Sequence, residues 1–318
     1  MGNKKISVIV PCYNEQEVLP MFREEILRVS DEMTKEHSEL GFEFLFINDG
    51  SSDGTLDLLR KYSESDSRCR YISFSRNFGK EAAMFAGLEN CTGDYAVILD
   101  ADLQHPPALI PQMYEYVSGG EYDCAATRRV SRKGEPKLLS FFSKSFYKVI
   151  NKISQTHIVD GAQDFRFMTR QMVDAILSMK EYNRFSKGIF SWVGFRTKYI
   201  EVENTERAAG KTTWNFWKLL KYSFEGIMAF STVPLYLAVV MGLIFLILAI
   251  AMAVKTLICG EDMSGDALIV TLVCLIGGVQ LFCMGVLGQY IAKTYLEVKK
   301  RPVYIIGESE KTFRKRKE

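Results

Sequence analysis

Several things this chain does not have narrow its chemistry early. Its seven cysteines, Cys12, Cys69, Cys91, Cys124, Cys259, Cys274 and Cys283, form no C-x-x-C pair, and no histidine clusters beside them. Unpatterned spacing of that kind suits reduced thiols rather than a zinc site or a disulfide framework. There is no G-x-G-x-x-G and no Walker loop, which disfavours a dinucleotide oxidoreductase and an ATPase. A net charge of +2 on 318 residues excludes a strongly basic nucleic-acid binder, so nucleic acid is not an expected partner. The start of the chain carries no apolar leader, and Met1-Gly2-Asn3-Lys4-Lys5-Ile6 lacks the Ser or Thr of a myristoylation site. Neither a cleaved signal nor an N-terminal lipid is expected.

The two longest absences of charge are themselves a signal. Ile227–Val254 and Ala267–Ala292 contain no charged residue, and each is long enough to cross a hydrocarbon core. The short loop between them is net acidic, whereas Lys211, Lys218, Lys221, Lys293, Lys299, Lys300 and Arg301 gather on the outer flanks. The positive-inside rule then puts both termini and the N-terminal domain in the cytoplasm, with two spans in the plasma membrane. Trp214-Asn215-Phe216-Trp217-Lys218-Leu219-Leu220-Lys221-Tyr222 has the composition of a headgroup-level belt, and Leu138–Ile150 carries a Phe/Lys pattern suited to a membrane interface. Gly277, Gly278, Gly285 and Gly288 permit close helix packing, within the pair or in a homo-oligomer. The run Lys311–Lys317 reads as a disordered basic tail drawn to anionic lipid.

The N-terminal two thirds alternates strand and helix patterns. Lys5–Pro11, Phe42–Asn48, Arg70–Phe74 and Tyr95–Leu99 are apolar runs, each closed by polar residues or proline, with helical periodicity between them. This is an α/β layout with a mostly parallel sheet. The residues that follow the strands, Tyr13, Glu15, Asp49, Asp53, Arg76, Lys80, Asp100 and Asp102, should converge on one edge, where ligands bind such sheets. Asp100 and Asp102 lie two apart, so an extended backbone presents both on one face. Hard carboxylate oxygens there suit Mg²⁺ or Mn²⁺, ions that also take substrate phosphates. A plain acidic turn is the competing reading of these two, and an N-cap is the better reading of Asp53. Arg128, Arg129, Arg132 and Lys133 read either as a solvated basic loop or as an anion site. Arg207 and Lys211 flank Gly210, which would let the backbone approach a phosphate closely.

Pro11-Cys12-Tyr13-Asn14-Glu15, Asp49-Gly50-Ser51-Ser52-Asp53 and Asp100-Ala101-Asp102-Leu103-Gln104-His105-Pro106-Pro107 resemble the successive motifs of family 2 glycosyltransferases. Asp164-Phe165-Arg166 and Arg207-Ala208-Ala209-Gly210-Lys211-Thr212 extend the likeness towards the polyprenyl-phosphate branch, which includes dolichyl-phosphate mannose synthases and bactoprenol glucosyltransferases. The resemblance implies a Rossmann-like, GT-A type domain with a C-terminal two-helix transmembrane hairpin. The boundaries expected are 1–212 for the cytoplasmic transferase domain, 213–230 for a juxtamembrane helix, 231–292 for the spans and 293–318 for the tail.

The resemblance also implies roles. Pro11, Tyr13 and Glu15 would line the nucleoside pocket, with Asp49 accepting from the base. Asp100 would meet the sugar, and Asp102 and Gln104, with Asp100 beside them, would hold the divalent ion. Arg76, Lys80, Arg207 and Lys211 would serve the nucleotide-sugar, Arg128 the acceptor phosphate. Asp102 and Asp164 would carry the chemistry, Asp164 either as a base or as an orienting group. His105 reads as a loop-shaping residue. The expected reaction is inverting, metal-dependent transfer of a hexose (glucose favoured) from a nucleotide-sugar (UDP favoured) to undecaprenyl phosphate. Transfer from GDP-mannose and transfer to a hydroxyl are the alternatives, ahead of a non-catalytic membrane scaffold. A processive synthase should show Q-x-x-R-W, which this sequence does not contain.

Overall fold

Strands that are apolar on both faces set the middle of the molecule. The computed structural model describes residues 4–130, 148, 150–152, 156, 158–202, 227, 231–259 and 266–315. In it β1 (Lys4–Cys12) and β2 (Leu40–Asn48) pair in parallel along their whole length, and Ile6–Val10 and Phe42–Asn48 are buried throughout. Such double burial is what a near-continuous apolar strand demands. β3 (Cys69–Phe74) adds in parallel beside β2, and β4 (Tyr95–Ile98) beside β1. With β5 (Cys124–Arg129), β6 (Ala162–Thr169), β7 (Thr197–Val202) and β8 (Ile306–Ser309), the order is β7-β5-β6-β4-β1-β2-β3-β8.

The sheet is mixed rather than mostly parallel. β6 runs antiparallel to both β4 and β5, and β8 runs antiparallel to β3. The cause in β6 is local. The chain leaves β5 and re-enters β6 at the same edge, where the Arg129 amide donates to Gly161 O and Arg128 stands opposite Ala162. A connection that returns to the edge it left can only produce an antiparallel neighbour.

Helices cover both faces. α1 (Leu19–Glu36) starts with Pro20 in its first turn, where a missing N–H costs nothing, and buries Leu19, Phe22, Ile26, Val29 and Met33 along one stripe. α2 (Thr55–Ser65) and α4 (Ile110–Ser118) share that face. The opposite face holds α3 (Lys80–Asn90), α5 (Arg170–Ser178) and α6 (Ser186–Trp192). α3 is built from small residues because it lies close on β1: a Cβ at Gly87 would stand 2.1 Å from Ile9 Cγ2. That closeness matters, since α3 begins at the edge where the acids gather.

Two long helices follow, α7 (Val233–Cys259) and α8 (Asp266–Val298), and they contact each other. Among the described residues one stretch, Leu275–Val298 with mean hydropathy 1.5, is long and apolar enough to cross a membrane. Around Gly277, Gly278, Gly285 and Gly288 nothing described lies within 4 Å of where a Cβ would stand. The interfacial segments read at 138–150 and 214–222 lie outside the described residues, apart from Lys148 and Ile150.

The end of the chain corrects the expectation of a disordered tail. After α8 it returns to the sheet as β8 and α9 (Glu310–Lys315). Glu308 accepts from Arg60 Nε and Nη2 at 2.8 Å each and from the Tyr71 hydroxyl at 2.7 Å. Arg70 pairs with Glu310, and Tyr304 stacks on Phe74 with ring centroids 4.9 Å apart. A basic composition predicted lipid contact, but long-range ion pairs and an open strand edge on β3 captured the segment instead.

Candidate active site

The loops after β1 and β2 are laced together. The Asn14 amide donates to Ser51 Oγ at 2.9 Å and Asn14 Oδ1 accepts from the Ser52 amide at 2.9 Å. The Glu15 amide donates to Thr55 Oγ1 at 2.9 Å, and Gln16 Oε1 accepts from the Gly54 amide at 2.6 Å. Asp53 accepts from the Thr55 amide at 3.0 Å and the Gln16 amide at 3.2 Å, so it caps the turn into α2 and ties it to the first loop. Tyr13 projects from this pair of loops at 46% exposure, while Pro11 and Glu15 are half-buried. An exposed aromatic ring on a rigid double loop is suited to stacking on a planar base.

Asp49, which the resemblance gives to the base, also has bonds within the fold. It is 3% exposed, and its two oxygens accept from the Phe78 amide at 2.6 Å and the Gly79 amide at 2.9 Å. Burial raises its pKa, with those two amides and Arg76 pulling the other way. Its carboxylate therefore anchors the loop between β3 and α3. Gly50 belongs to the same anchor: at φ +65° its missing Cβ leaves room for the Arg76 carbonyl carbon, which a Cβ would meet at 2.4 Å. Arg76 lies over the Phe78 ring, 4.1 Å from its centroid.

That anchored loop delivers Lys80, the first residue of α3, into the acidic edge. Lys80 Nζ donates to Asp100 Oδ2 and to Asp164 Oδ2, each at 2.8 Å. The strand register explains the meeting. β4 pairs antiparallel with β6 so that Ile98 faces Arg166, and Asp100, two residues after Ile98, falls beside Asp164, two residues before Arg166. Both carboxylates are mostly sheltered, at 24% and 19% side-chain exposure, and Lys80 closes the gap between them. Burial works against ionising Asp164, but Lys80, then Lys187 and Arg166, overcome it and hold its pKa below the usual carboxylate range. Burial likewise opposes the Lys80 charge, and Asp100 and Asp164 raise its pKa nonetheless. A cation at a helix N-terminus is disfavoured by the helix dipole, so these two acids are what keep Lys80 there.

Asp102 sits on the next turn, its Oδ1 accepting from the Gln104 amide at 3.1 Å, with Leu103 at φ 56° bending the loop. Among the described residues no group of three or more His, Cys, Asp or Glu side chains is arranged to hold a metal. Asp102, Gln104 and Asp100 are a short set of hard oxygens. Such a set fits an ion that takes its remaining ligands from a substrate pyrophosphate and water. His105 is buried with its ring against Phe165, centroids 5.8 Å apart, and neither nitrogen has a hydrogen-bond partner among the described residues. It shapes the loop by packing.

On the other side, Arg128 at the end of β5 donates to the Asp160 carbonyl at 3.0 Å. Arg207 and Lys211 lie outside the described residues. The structure adds Glu81 and Ser186, which sequence reasoning gave no role, and a packing role for Arg166. Glu81 accepts from the Ser186 amide at 3.0 Å and closely from its hydroxyl, which ties the start of α6 to the start of α3. Arg166, 2% exposed, stacks its guanidinium on Phe190 at 3.8 Å. An acid following Lys80 at a helix start was the one visible signal for Glu81; nothing local marked Ser186.

The model of the family described as "Glycosyl transferase family 2" matches residues 7–177, which spans the sheet from β1 to α5. Three curated relatives cover nearly the whole chain. "Putative glycosyltransferase CsbB" of Bacillus subtilis (strain 168) is 42% identical over 96% of this chain and 92% of its own. The "prophage bactoprenol glucosyl transferase homolog" of Escherichia coli (strain K12) is 40% identical over 96% and 100%. The SfII prophage-derived bactoprenol glucosyl transferase of Shigella flexneri is 39% identical over 96% and 99%. A crystal structure of glucosyl-3-phosphoglycerate synthase from Mycobacterium tuberculosis, in complex with Mn²⁺, UDP-glucose and phosphoglyceric acid, covers 71% of this chain and 78% of its own at TM-score 0.44 and 16% identity. The order of the motifs, the edge on which the structure collects them and the relatives that share nearly the full length make this chain a member of glycosyl transferase family 2.

Proposed function

We propose that the chain transfers glucose from UDP-glucose to undecaprenyl phosphate, with inversion, in the presence of Mg²⁺ or Mn²⁺. The observation that carries this reading is the Lys80 bridge between Asp100 and Asp164, set at the sheet edge of a chain about 40% identical to bactoprenol glucosyl transferases.

Tyr13, Pro11 and Glu15 would take the base, and Lys80, Arg76, Arg207 and Lys211 the pyrophosphate. Asp102 and Gln104, with Asp100, would hold the ion, which supplies positive charge against the leaving diphosphate. Arg128 would receive the acceptor phosphate. An acceptor oxygen bonds to the anomeric carbon as the bond from that carbon to the diphosphate breaks, and the nucleoside diphosphate leaves. A lipid monophosphate is largely ionised at neutral pH, so no base is required. The low pKa of Asp164 agrees with that, because a carboxylate held ionised by cations is a poor proton acceptor. Asp164 orients the reacting groups.

The lipid tail stays in the bilayer, anchored beside α7 and α8 as two spans, with the transferase domain and both termini in the cytoplasm. The glycine face of α8 would pack against a second copy. The test is turnover by detergent-purified protein with undecaprenyl phosphate and Mn²⁺, offered UDP-glucose, UDP-galactose or GDP-mannose separately. Lipid-dependent release of UDP with a glucosylated lipid, abolished in Asp102→Ala, is the expected result. Lipid-dependent turnover of GDP-mannose alone would move the donor to the mannose class, and nucleotide release without a lipid product would refute the acceptor.

A further inference from the structure

Two carboxylates brought together by a strand register need a cation between them, and this fold supplies its own. Lys80 Nζ is within 2.8 Å of both Asp100 and Asp164. Its stem starts at the N-terminal residue of α3, where the helix dipole repels it. Among the described residues it is held there by the two acids, and at 43% side-chain exposure it has room to swing when a better anion arrives. We propose that Lys80 is a resident counter-cation that bars a divalent ion from Asp100 until a nucleoside diphosphate enters, so that ion and donor bind together. This rests on the reading of Asp100 and Asp102 as the ion's protein ligands.

The free site offers the ion little. Asp100 is engaged by an ammonium, Asp102 accepts from the Gln104 amide, and no third His, Cys, Asp or Glu is grouped with them among the described residues. A divalent ion that enters alone must displace Lys80 from Asp100 and leave that ammonium, at a helix N-terminus, with Asp164 in place of two acids. When a diphosphate enters with the ion, its oxygens complete the coordination shell and accept from Lys80. The ammonium exchanges one anion for another, and Asp100 is released.

The experiment is Mn²⁺ binding to the full chain in detergent, read as loss of the free-ion electron paramagnetic resonance signal, with no turnover involved. Wild type alone should bind Mn²⁺ at least about ten-fold more weakly than wild type with UDP. Lys80→Met should bind Mn²⁺ without nucleotide about ten-fold more tightly than wild type does, and UDP should add little. Lys80→Arg, which keeps the charge, should behave as wild type. Should the methionine variant fail to fold, Lys80→Gln makes the same comparison with a neutral donor. If wild type responds to UDP while the neutral variants bind Mn²⁺ no better than wild type alone, the counter-cation role is overturned. If wild type takes up no Mn²⁺ even with UDP, the ion-site reading itself is refuted, and this inference with it.

Discussion

Glu81 lies one residue beyond the Lys80 bridge, and its titration can be predicted with a sign and a size. Its carboxyl is half-buried and accepts from the Ser186 amide and hydroxyl. Burial raises its pKa from 4.5 to about 7; the Ser186 hydroxyl opposes the rise and the nearby Asp164 charge adds to it. A carboxyl whose folded pKa lies above its unfolded value stabilises the fold fully below pH 4.5, and that stability drains as pH rises through about 7. The full span corresponds to about 3 kcal/mol, and residual solvent access reduces it to about 2 kcal/mol. Glu81→Gln removes the penalty without removing a contact. The amide oxygen accepts from the Ser186 N–H, and the amide NH₂ donates to Ser186 Oγ. At pH 8 the variant should therefore melt about 5 °C above wild type, and at pH 5 the two should coincide. Thermal unfolding of the detergent-solubilised chain, followed by tryptophan fluorescence, makes the comparison. A wild type as stable at pH 8 as at pH 5, with the variant below it, would mean that Glu81 folds as a favourable anion.

Two further substitutions probe what holds the site in place. Glu43, 2% exposed, joins β1, β3 and the turn before β4 by accepting from Ser7 Oγ at 2.5 Å, Lys5 Nζ at 3.0 Å, Arg70 at 3.1 Å and the Thr92 amide at 2.6 Å. Burial opposes its charge, but the Ser7 hydroxyl, the Thr92 amide and Lys5 bring its pKa down from 4.5 to about 2. The stability it contributes is present above pH 4.5 and is lost as pH falls through about 2. Glu43→Gln should cost about 3 kcal/mol at pH 7 in urea unfolding, and a loss below about 1 kcal/mol would refute the charge-centred account. Glu308→Ala strips the acceptor from the Arg60 guanidinium and the Tyr71 hydroxyl. It should cost about 2 kcal/mol and speed protease cleavage between β8 and α9; an unchanged cleavage rate would show that β8 is held by its backbone pairing.

Much of this architecture was legible because the signals are short-range. The apolar runs that became β1 to β4 are continuous, each ends in a polar turn, and the acids after them fall on one edge by the geometry of parallel strands. Asp53 reads as the N-cap of α2, but Gly54 holds that position; Asp53 stands one residue earlier and accepts from the Thr55 amide in a local Asx turn. The losses occur wherever a partner is far away in the chain. β6 mixes apolar residues with Gln163, Asp164 and Arg166 and does not read as a strand, and its direction depends on where the chain re-enters the sheet. β8 is only four residues of mixed composition. Its place is fixed by Arg60, Tyr71 and Arg70, more than two hundred positions earlier. The resemblance gave Asp49 to the base; that its oxygens also accept from the Phe78 and Gly79 amides follows from a close approach of two loops that Gly50 permits.

Asp164 shows the same limit at the centre of the site. From sequence the obvious partner is Arg166, two residues on, since alternate strand residues share a face. They do share it, but the shared face slopes into the core: Arg166 is buried with its guanidinium on Phe190, while Asp164 lies at the open edge. The cation that reaches Asp164 is Lys80, which is 84 positions away and arrives from a different layer. It reaches that point because Asp49 fixes the loop before α3 and Gly87 lets α3 lie close on β1. The charge state of Asp164 is thus decided by residues whose own motifs speak of a turn and a packing contact. In this fold Asp164 and Asp100 are made into one electrostatic unit by a helix start, and substitutions at Asp49 or Gly87 should be felt at Asp164 without touching it.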